Sequence, residues 1–152
     1  MNSTTSAGDE NKSFPKEFFS SSVEETNKIA RAFAEEIEGG ETILLSGELG
    51  AGKTTFTKEF FKALGVTDTV TSPTFTLMKT YYGKFVVHHL DMYRIENEDE
   101  VEELGLREEI DDGDVTVIEW NKFSFFTGKV YTISIDYLGE NERKITIECD
   151  RK

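Results

Sequence analysis

The segment Gly47 to Thr54 constrains this chain more than any other, because it reads Gly-Glu-Leu-Gly-Ala-Gly-Lys-Thr. It matches the phosphate-loop pattern G-x-x-x-x-G-K-[ST] at every fixed position. The apolar run 41–46 before it is typical of a buried parallel strand. Residues 55–64 after it carry apolar side chains at helical spacing, with Gly65 as the C-terminal cap. The sequence therefore predicts a strand, a glycine loop and a helix in succession.

This loop predicts a nucleoside triphosphate site. Gly50 and Gly52 let the backbone turn its N–H groups toward phosphate oxygens, and the helix N-terminus adds partial positive charge. Lys53 is expected to reach the β- and γ-phosphates, and the Thr54 hydroxyl to ligate Mg²⁺. The predicted nucleotide-binding residues are Gly47, Glu48, Leu49, Gly50, Ala51, Gly52, Lys53, Thr54 and Thr55. Arg143, in a predicted hairpin, is a further and weaker candidate.

Two carboxylates are candidates for a second Mg²⁺ ligand, opposite the loop. In such sites the ligand carboxylate usually lies at the C-terminal end of a strand next to the one that precedes the loop. Glu119 closes the apolar run 115–118, and Asp91 closes the run 86–90. Spacing leaves open which acid ligates Mg²⁺ and which orients the attacking water.

Two other polar features have competing interpretations. His88 and His89 are adjacent in a predicted strand, so they point to opposite faces, which favours packed or hydrogen-bonded histidines over a transition-metal site. The acidic segment 96–114, predicted as one or two short helices, is either a solvated face or a docking surface for a basic partner.

The remaining pattern predicts one domain. We expect a disordered polar tail at 1–13 and a single domain at 14–152. An edge strand is expected at 14–19, followed by a helix from a Ser22–Glu25 capping box to Gly39-Gly40. A further strand is expected from Pro73 to about Tyr82, with a hairpin into 85–91. A closing hairpin is expected from 131–138 and 143–149.

Composition limits the classes of function. The net charge is −13, from 30 acidic residues against 17 Lys plus Arg, which argues against a protein that coats nucleic acid. The one cysteine, Cys149, excludes an internal disulfide. The absence of a long apolar run and of a signal pattern predicts a cytoplasmic protein without a membrane span.

Four motifs in order resemble those of the TsaE (YjeE) family. They are the loop 47–56, Thr-Ser-Pro-Thr-Phe-Thr-Leu at 71–77, His-Leu-Asp-Met-Tyr-Arg at 89–94 and Ile-Glu-Trp at 118–120. The resemblance implies a three-layer α/β fold of the P-loop NTPase type, with helices on both faces of a mixed sheet. It also implies a weak ATPase that uses Mg²⁺ and depends on two partner proteins, TsaD and TsaB. Their complex uses threonylcarbamoyl-adenylate to modify adenosine 37 of ANN-decoding tRNAs. This chain is therefore expected to meet tRNA only through the complex. No contact with DNA or membranes is expected.

The resemblance also implies residue roles. Thr54 and Glu119 match Mg²⁺ ligands, and Asp91 matches the acid needed for hydrolysis. Thr74 falls in the switch-like segment beside the γ-phosphate, and Trp120 matches a tryptophan near the site. One departure is Asn-Lys-Phe at 121–123, where many members have Pro followed by an acid or Gln.

Three other functions compete with a partner-dependent ATPase. A GTPase would need an N-K-x-D segment, and Asn-Lys-Phe-Ser at 121–124 lacks the acid. A small phosphotransferase would need arginines clustered around the transferred phosphoryl group, whereas the arginines here are scattered in sequence. The third is a nucleotide-dependent binding module without significant hydrolysis.

Overall fold

The computed structural model describes residues 15–48, 51–74 and 76–150. Within them lie seven strands and three α-helices: β1 Lys16–Ser20, α1 Val23–Ala34, β2 Thr42–Gly47, α2 Lys53–Ala63, β3 Met78–Tyr82, β4 Val86–Asp91, α3 Glu98–Glu103, β5 Val115–Glu119, β6 Val130–Gly139 and β7 Glu142–Asp150. A 3₁₀ turn at Leu106–Glu109 follows α3. The tail predicted at 1–13 lies outside the described residues.

The strands form one mixed sheet in the order β1-β7-β6-β2-β5-β4-β3. The central strands β6, β2, β5 and β4 are parallel. The remaining strands β3, β7 and β1 join antiparallel. Because parallel strands end at the same edge, the C-terminal ends of β2, β5 and β4 lie together, which is where ligands bind in open α/β sheets.

The larger core lies between α1, α2 and one sheet face. It contains a cluster of aromatic rings: Phe33 lies 5.3 Å from Phe60 and 4.9 Å from Tyr131 between ring centroids. Phe56 and Phe61 are equally buried. Truncating one such ring to alanine costs about 3–5 kcal/mol, so this core holds α2, and the loop before it, against the sheet.

The second sheet face has a thinner cover. Leu90, Met92 and Ile118 are buried there beneath Val101 of α3 and Phe123 of the loop after β5. Helices therefore lie on both faces, and the predicted three-layer α/β fold is confirmed, with two long helices on one side and short ones on the other. The acidic segment, predicted as one or two short helices, forms a short α-helix and a 3₁₀ turn.

Helix α1 ends earlier than predicted. Its last residue is Ala34, not the residue before Gly39-Gly40. The reason is a local side-chain cap: the Glu41 carboxylate accepts the N–H groups of Glu38 and Gly39 at 2.7 and 2.8 Å. These bonds turn the chain back toward β2, which helical bonding of the same groups would prevent. The start of the helix is as predicted, since the Ser22 hydroxyl accepts the Glu25 N–H at 3.1 Å.

The strand predicted from Pro73 begins only at Met78. The Pro73 carbonyl accepts the N–H groups of Thr76 and Leu77 at 3.0 and 2.8 Å, which closes a turn. Leu77 takes a left-handed φ of 68° at its end. Thr74 and Thr76, predicted to lie in this strand, are therefore in a loop beside the C-terminal edge of the sheet.

Candidate nucleotide-binding site

The glycine loop joins β2 to α2 as the sequence predicts. Gly52 precedes the helix with a left-handed φ of 105°, a conformation that favours glycine. The Ala51 N–H donates to the Glu48 carbonyl at 2.9 Å, which tightens the loop. The predicted loop residues Leu49 and Gly50 lie outside the described residues.

Gly47 is required for a different reason. A Cβ atom there would lie 2.7 Å from the Ile135 carbonyl oxygen of β6. Glycine at this position therefore allows β2 to end against the backbone of β6.

The N-terminus of α2 is built differently from the other two helix starts in the described residues. Ser22 caps α1 and Asn97 caps α3, and both first turns contain acids. Helix α2 has no side-chain cap and no acid in its first turn, where Lys53, Thr54 and Thr55 stand instead. The first N–H groups of a helix need an acceptor and carry partial positive charge. This end of α2 is therefore suited to an anion.

Lys53 and Glu119 meet across the loop. The Lys53 Nζ lies 3.5 Å from Glu119 Oε1 and 5.6 Å from the centroid of the Trp120 ring. The other oxygen, Glu119 Oε2, lies 2.8 Å from His89 Nε2. Burial by itself would raise the pKa of Glu119, but the hydrogen bond with His89, together with the charge of Lys53, holds it below its usual value. Glu119 is therefore ionised at neutral pH.

Asp91 and Thr74 also meet. Asp91 pairs with Glu119 in the register of β4 and β5. Its Oδ2 accepts the Thr74 hydroxyl at 3.2 Å, and its Oδ1 accepts the Tyr93 N–H at 3.0 Å. The Thr74 Oγ1 lies 2.5 Å from that of Ser72. The turn before β3 is thus connected by hydrogen bonds to the acid that ends β4.

Trp120 follows Glu119 with a left-handed φ of 58°, which is uncommon for an aromatic residue. Its side chain is half exposed, and its ring meets that of Tyr93 edge to face at 5.0 Å. The Trp120 ring lies beside Lys53 at the rim of the site, and Tyr93 packs against the Trp120 ring. The sequence pattern assigns Tyr93 no role beyond its place in the motif 89–94.

Arg143 reaches the loop from β7. Its Nε donates to the Ala51 carbonyl at 2.9 Å, and its Nη1 to those of Gly139 and Glu142 at 2.8 and 2.9 Å. The guanidinium lies 4.7 Å from the centroid of the Tyr137 ring. Arg143 thereby ties the β6–β7 hairpin to the loop. A cavity of about 80 Å³ adjoins it, lined partly by Gly52 and Thr55.

The two histidines lie on opposite faces of β4, as predicted. Both are buried and hydrogen-bonded, His88 to Thr80 and Asp114 and His89 to Glu119. The contact between His89 and Glu119 was not predicted. It depends on the pairing of β4 with β5, which brings His89 to Glu119 across the sheet.

The donor set fits a magnesium ion shared with phosphates. In the described residues, no three of His, Cys, Asp and Glu are grouped so that they could hold a metal ion by themselves. Mg²⁺ is usually held by one or two carboxylates together with substrate phosphates and water. Glu119, the Thr54 hydroxyl and the phosphates of a nucleotide would supply such oxygens.

The fold and the loop define a P-loop protein of the α/β class. A family model described as threonylcarbamoyl adenosine biosynthesis protein TsaE matches residues 20–145. The chain therefore belongs to the TsaE family, which takes part in the biosynthesis of threonylcarbamoyladenosine in tRNA.

Individual relatives agree with this assignment. The chain is 43% identical to the Bacillus subtilis tRNA threonylcarbamoyladenosine biosynthesis protein TsaE over 126 residues, 81% of this chain and 78% of that protein. It is 39% identical to the protein of the same name from Aquifex aeolicus, over 87% of this chain and 95% of that protein. The crystal structure of Bacillus subtilis YdiB superposes with a TM-score of 0.70 at 32% identity, covering 90% of this chain and 85% of that one. No helix among the described residues is long and apolar enough to cross a membrane.

Proposed function

We propose that this protein binds and slowly hydrolyses ATP with Mg²⁺, and that it acts with TsaD and TsaB in the threonylcarbamoylation of adenosine 37 of ANN-decoding tRNAs. Hydrolysis resets the complex between rounds of modification. The observation that carries the proposal is the uncapped N-terminus of α2, where Lys53 faces the carboxylate that ends β5. Membership of the TsaE family supplies the pathway.

The proposed phosphate-binding residues are those of the predicted loop, Gly47 to Thr55, whose backbone N–H groups would surround the phosphates. Lys53, which lies 3.5 Å from Glu119 Oε1, would move from this carboxylate to the phosphate oxygens. Thr54 and Glu119 hold the Mg²⁺, which neutralises phosphate charge when bound. Arg143 supports the loop through the Ala51 carbonyl.

Asp91 has the second proposed role, in hydrolysis. Thr74 and the Tyr93 N–H fix both of its oxygens. Thr74 lies in the turn before β3 and is hydrogen-bonded to Asp91 of the sheet. A γ-phosphate that contacts Thr74 would therefore change the conformation of this turn. Loss of the phosphate on hydrolysis would return the turn to its earlier conformation, as in other nucleotide-dependent switches. Trp120 and Tyr93 are both exposed near this turn, so a partner could contact a surface there that differs between the ATP-bound and ADP-bound states.

Measuring phosphate release tests the proposal. ATP and then GTP are supplied with Mg²⁺ to the protein alone and together with TsaD–TsaB. We expect slow release from ATP alone, faster release with both partners and little from GTP. ATP binding without release under either condition would instead identify a nucleotide-dependent binding module. Transfer of phosphate to a small acceptor would identify a phosphotransferase.

A further inference from the structure

The His89 side chain has a single polar contact in the described part of the chain. Its Nε2 lies 2.8 Å from Glu119 Oε2, and its Nδ1 is buried without a hydrogen-bond partner there. The ring packs edge-on against Phe61 of α2, 5.6 Å between centroids. A carboxylate can only accept, so the hydrogen lies on Nε2 and His89 is the donor. The ring is thus held by packing and directed at one oxygen of one acid.

The two oxygens of Glu119 have different partners. His89 holds Oε2, while Oε1 lies 3.5 Å from the Lys53 ammonium. The Oε2 contact comes from the neighbouring buried strand, whereas the Oε1 contact comes from the loop lysine that a nucleotide would engage. If Lys53 turns to phosphate, the hydrogen bond from His89 remains and Oε1 becomes available.

We propose that His89 is a positioning residue for magnesium: it fixes Glu119 so that the carboxylate stays directed at the loop when Lys53 moves to the nucleotide. The inference rests on the proposed function, since it needs Glu119 to ligate Mg²⁺. Hydrogen-bond partners of metal ligands contribute about 10–100-fold to metal affinity, because they orient the ligand before the ion arrives. His89 thereby lowers the Mg²⁺ concentration that nucleotide binding requires.

His88 provides a matched control. It is as buried as His89 and also pairs with a carboxylate, since its Nε2 lies 2.6 Å from Asp114 Oδ2. It faces the opposite side of the sheet, and Asp114 precedes β5 while Glu119 ends it. A substitution of His88 therefore removes a buried histidine–carboxylate pair without touching the site.

The experiment measures ADP affinity by calorimetry across a Mg²⁺ titration and in excess chelator. The variants are His89→Leu, which has no donor, His89→Asn, whose amide is too short, and His89→Gln, whose amide nitrogen is as many bonds from the backbone as Nε2. We expect His89→Leu and His89→Asn to raise the half-saturating Mg²⁺ about 10–100-fold, with metal-free ADP affinity unchanged. His89→Gln should restore most of the wild-type requirement, and His88→Leu should not alter it.

The outcomes separate the two proposals. If Glu119→Gln raises the Mg²⁺ requirement but His89→Leu and His89→Asn do not, the positioning role is wrong and the proposed function stands. If His89→Leu does not fold, the comparison of His89→Asn with His89→Gln decides, and equal Mg²⁺ requirements overturn the inference. If Glu119→Gln leaves the requirement unchanged, the metal site itself is wrong and the inference falls with it.

Discussion

Asp91 and Glu119 lie side by side as the last residues of the parallel strands β4 and β5, yet their carboxylates have different hydrogen-bond and ion-pair partners. Glu119 faces Lys53 of the loop, with His89 behind it. Asp91 faces Thr74 of the turn before β3. Neighbouring positions in one sheet thus connect to two different parts of the site, which is the basis for separating their roles experimentally.

Substitutions of the two acids should have different effects, one on Mg²⁺-dependent nucleotide binding and the other on hydrolysis. Glu119→Gln should weaken nucleotide binding only when Mg²⁺ is present, because it removes a metal ligand. Asp91→Asn should bind ATP with Mg²⁺ but release phosphate at least about 100-fold more slowly, since a group that acts in proton transfer or water orientation contributes about that much. Titrating nucleotide against Mg²⁺ in both variants, with turnover measured in parallel, distinguishes these effects. The reverse pattern would show that the roles are exchanged.

Lys53→Ala should abolish tight ATP binding while leaving the fold intact. The lysine is expected to pair with the phosphates, and its ammonium lies 3.5 Å from Glu119 Oε1 and over the Trp120 ring. We expect affinity to fall by about two orders of magnitude, the equivalent of roughly 3 kcal/mol, with little change in the melting temperature without nucleotide. Lys58→Ala, at an exposed position of the same helix, is the control. Unchanged binding in Lys53→Ala would refute the phosphate-loop assignment.

Arg143→Ala should weaken nucleotide binding through the loop. The variant loses the hydrogen bond to the Ala51 carbonyl, and bonds from a charged donor contribute about 1.5–3 kcal/mol. We expect roughly tenfold or greater loss of ADP affinity. Lys144→Ala on the same strand, which removes an ion pair with Glu17, should bind ADP normally. Equal affinities in the two variants would mean that the loop holds its shape without Arg143.

Partner binding should depend on nucleotide and not on tRNA alone. A net charge of −13 disfavours direct contact with tRNA phosphates. In pull-downs with TsaD–TsaB, a nonhydrolysable ATP analogue should promote association and ADP should not. Tight binding to free tRNA, or partner affinity indifferent to nucleotide, would contradict the switch.

The acidic segment allows a separate test of docking. Glu103→Lys combined with Glu108→Lys should slow association about tenfold if this segment steers the partner, because electrostatic steering acts mainly on the association rate. Both positions are exposed. The control pair Asp136→Lys and Glu148→Lys applies the same charge change on β6 and β7. Equal rates in the two double variants would favour a merely solvated face.

Stability at alkaline pH should depend on Tyr131. Burial, and next the neighbouring Cys149 and the carboxylates of Glu36 and Glu41, raise the pKa of this phenol far above its usual value. The unfolded chain loses the proton near pH 10, whereas the folded protein retains it, so stability falls as the pH rises further. The stability difference between wild type and Tyr131→Phe should change by about 1.4 kcal/mol per pH unit above pH 10. Urea unfolding from pH 8 to 11 measures this, and a constant difference would contradict it.

The sequence alone determined the parts of the site that depend on local pattern. The strand, loop and helix around 47–54 follow from glycine positions and apolar periodicity, and the acids Asp91 and Glu119 follow from the ends of two apolar runs. The capping box at Ser22 and the hairpin at 82–86 were also predicted, because each involves residues a few positions apart.

Contacts between distant residues were decided only by the tertiary structure. That β5 lies between β2 and β4, which brings His89 to Glu119 and Glu119 to Lys53, depends on strand pairing. The same holds for Arg143, which meets Ala51 across 92 positions. Local patterns fix which face a side chain takes, but strand order and register are selected by burial of the whole sheet, and no single segment encodes them.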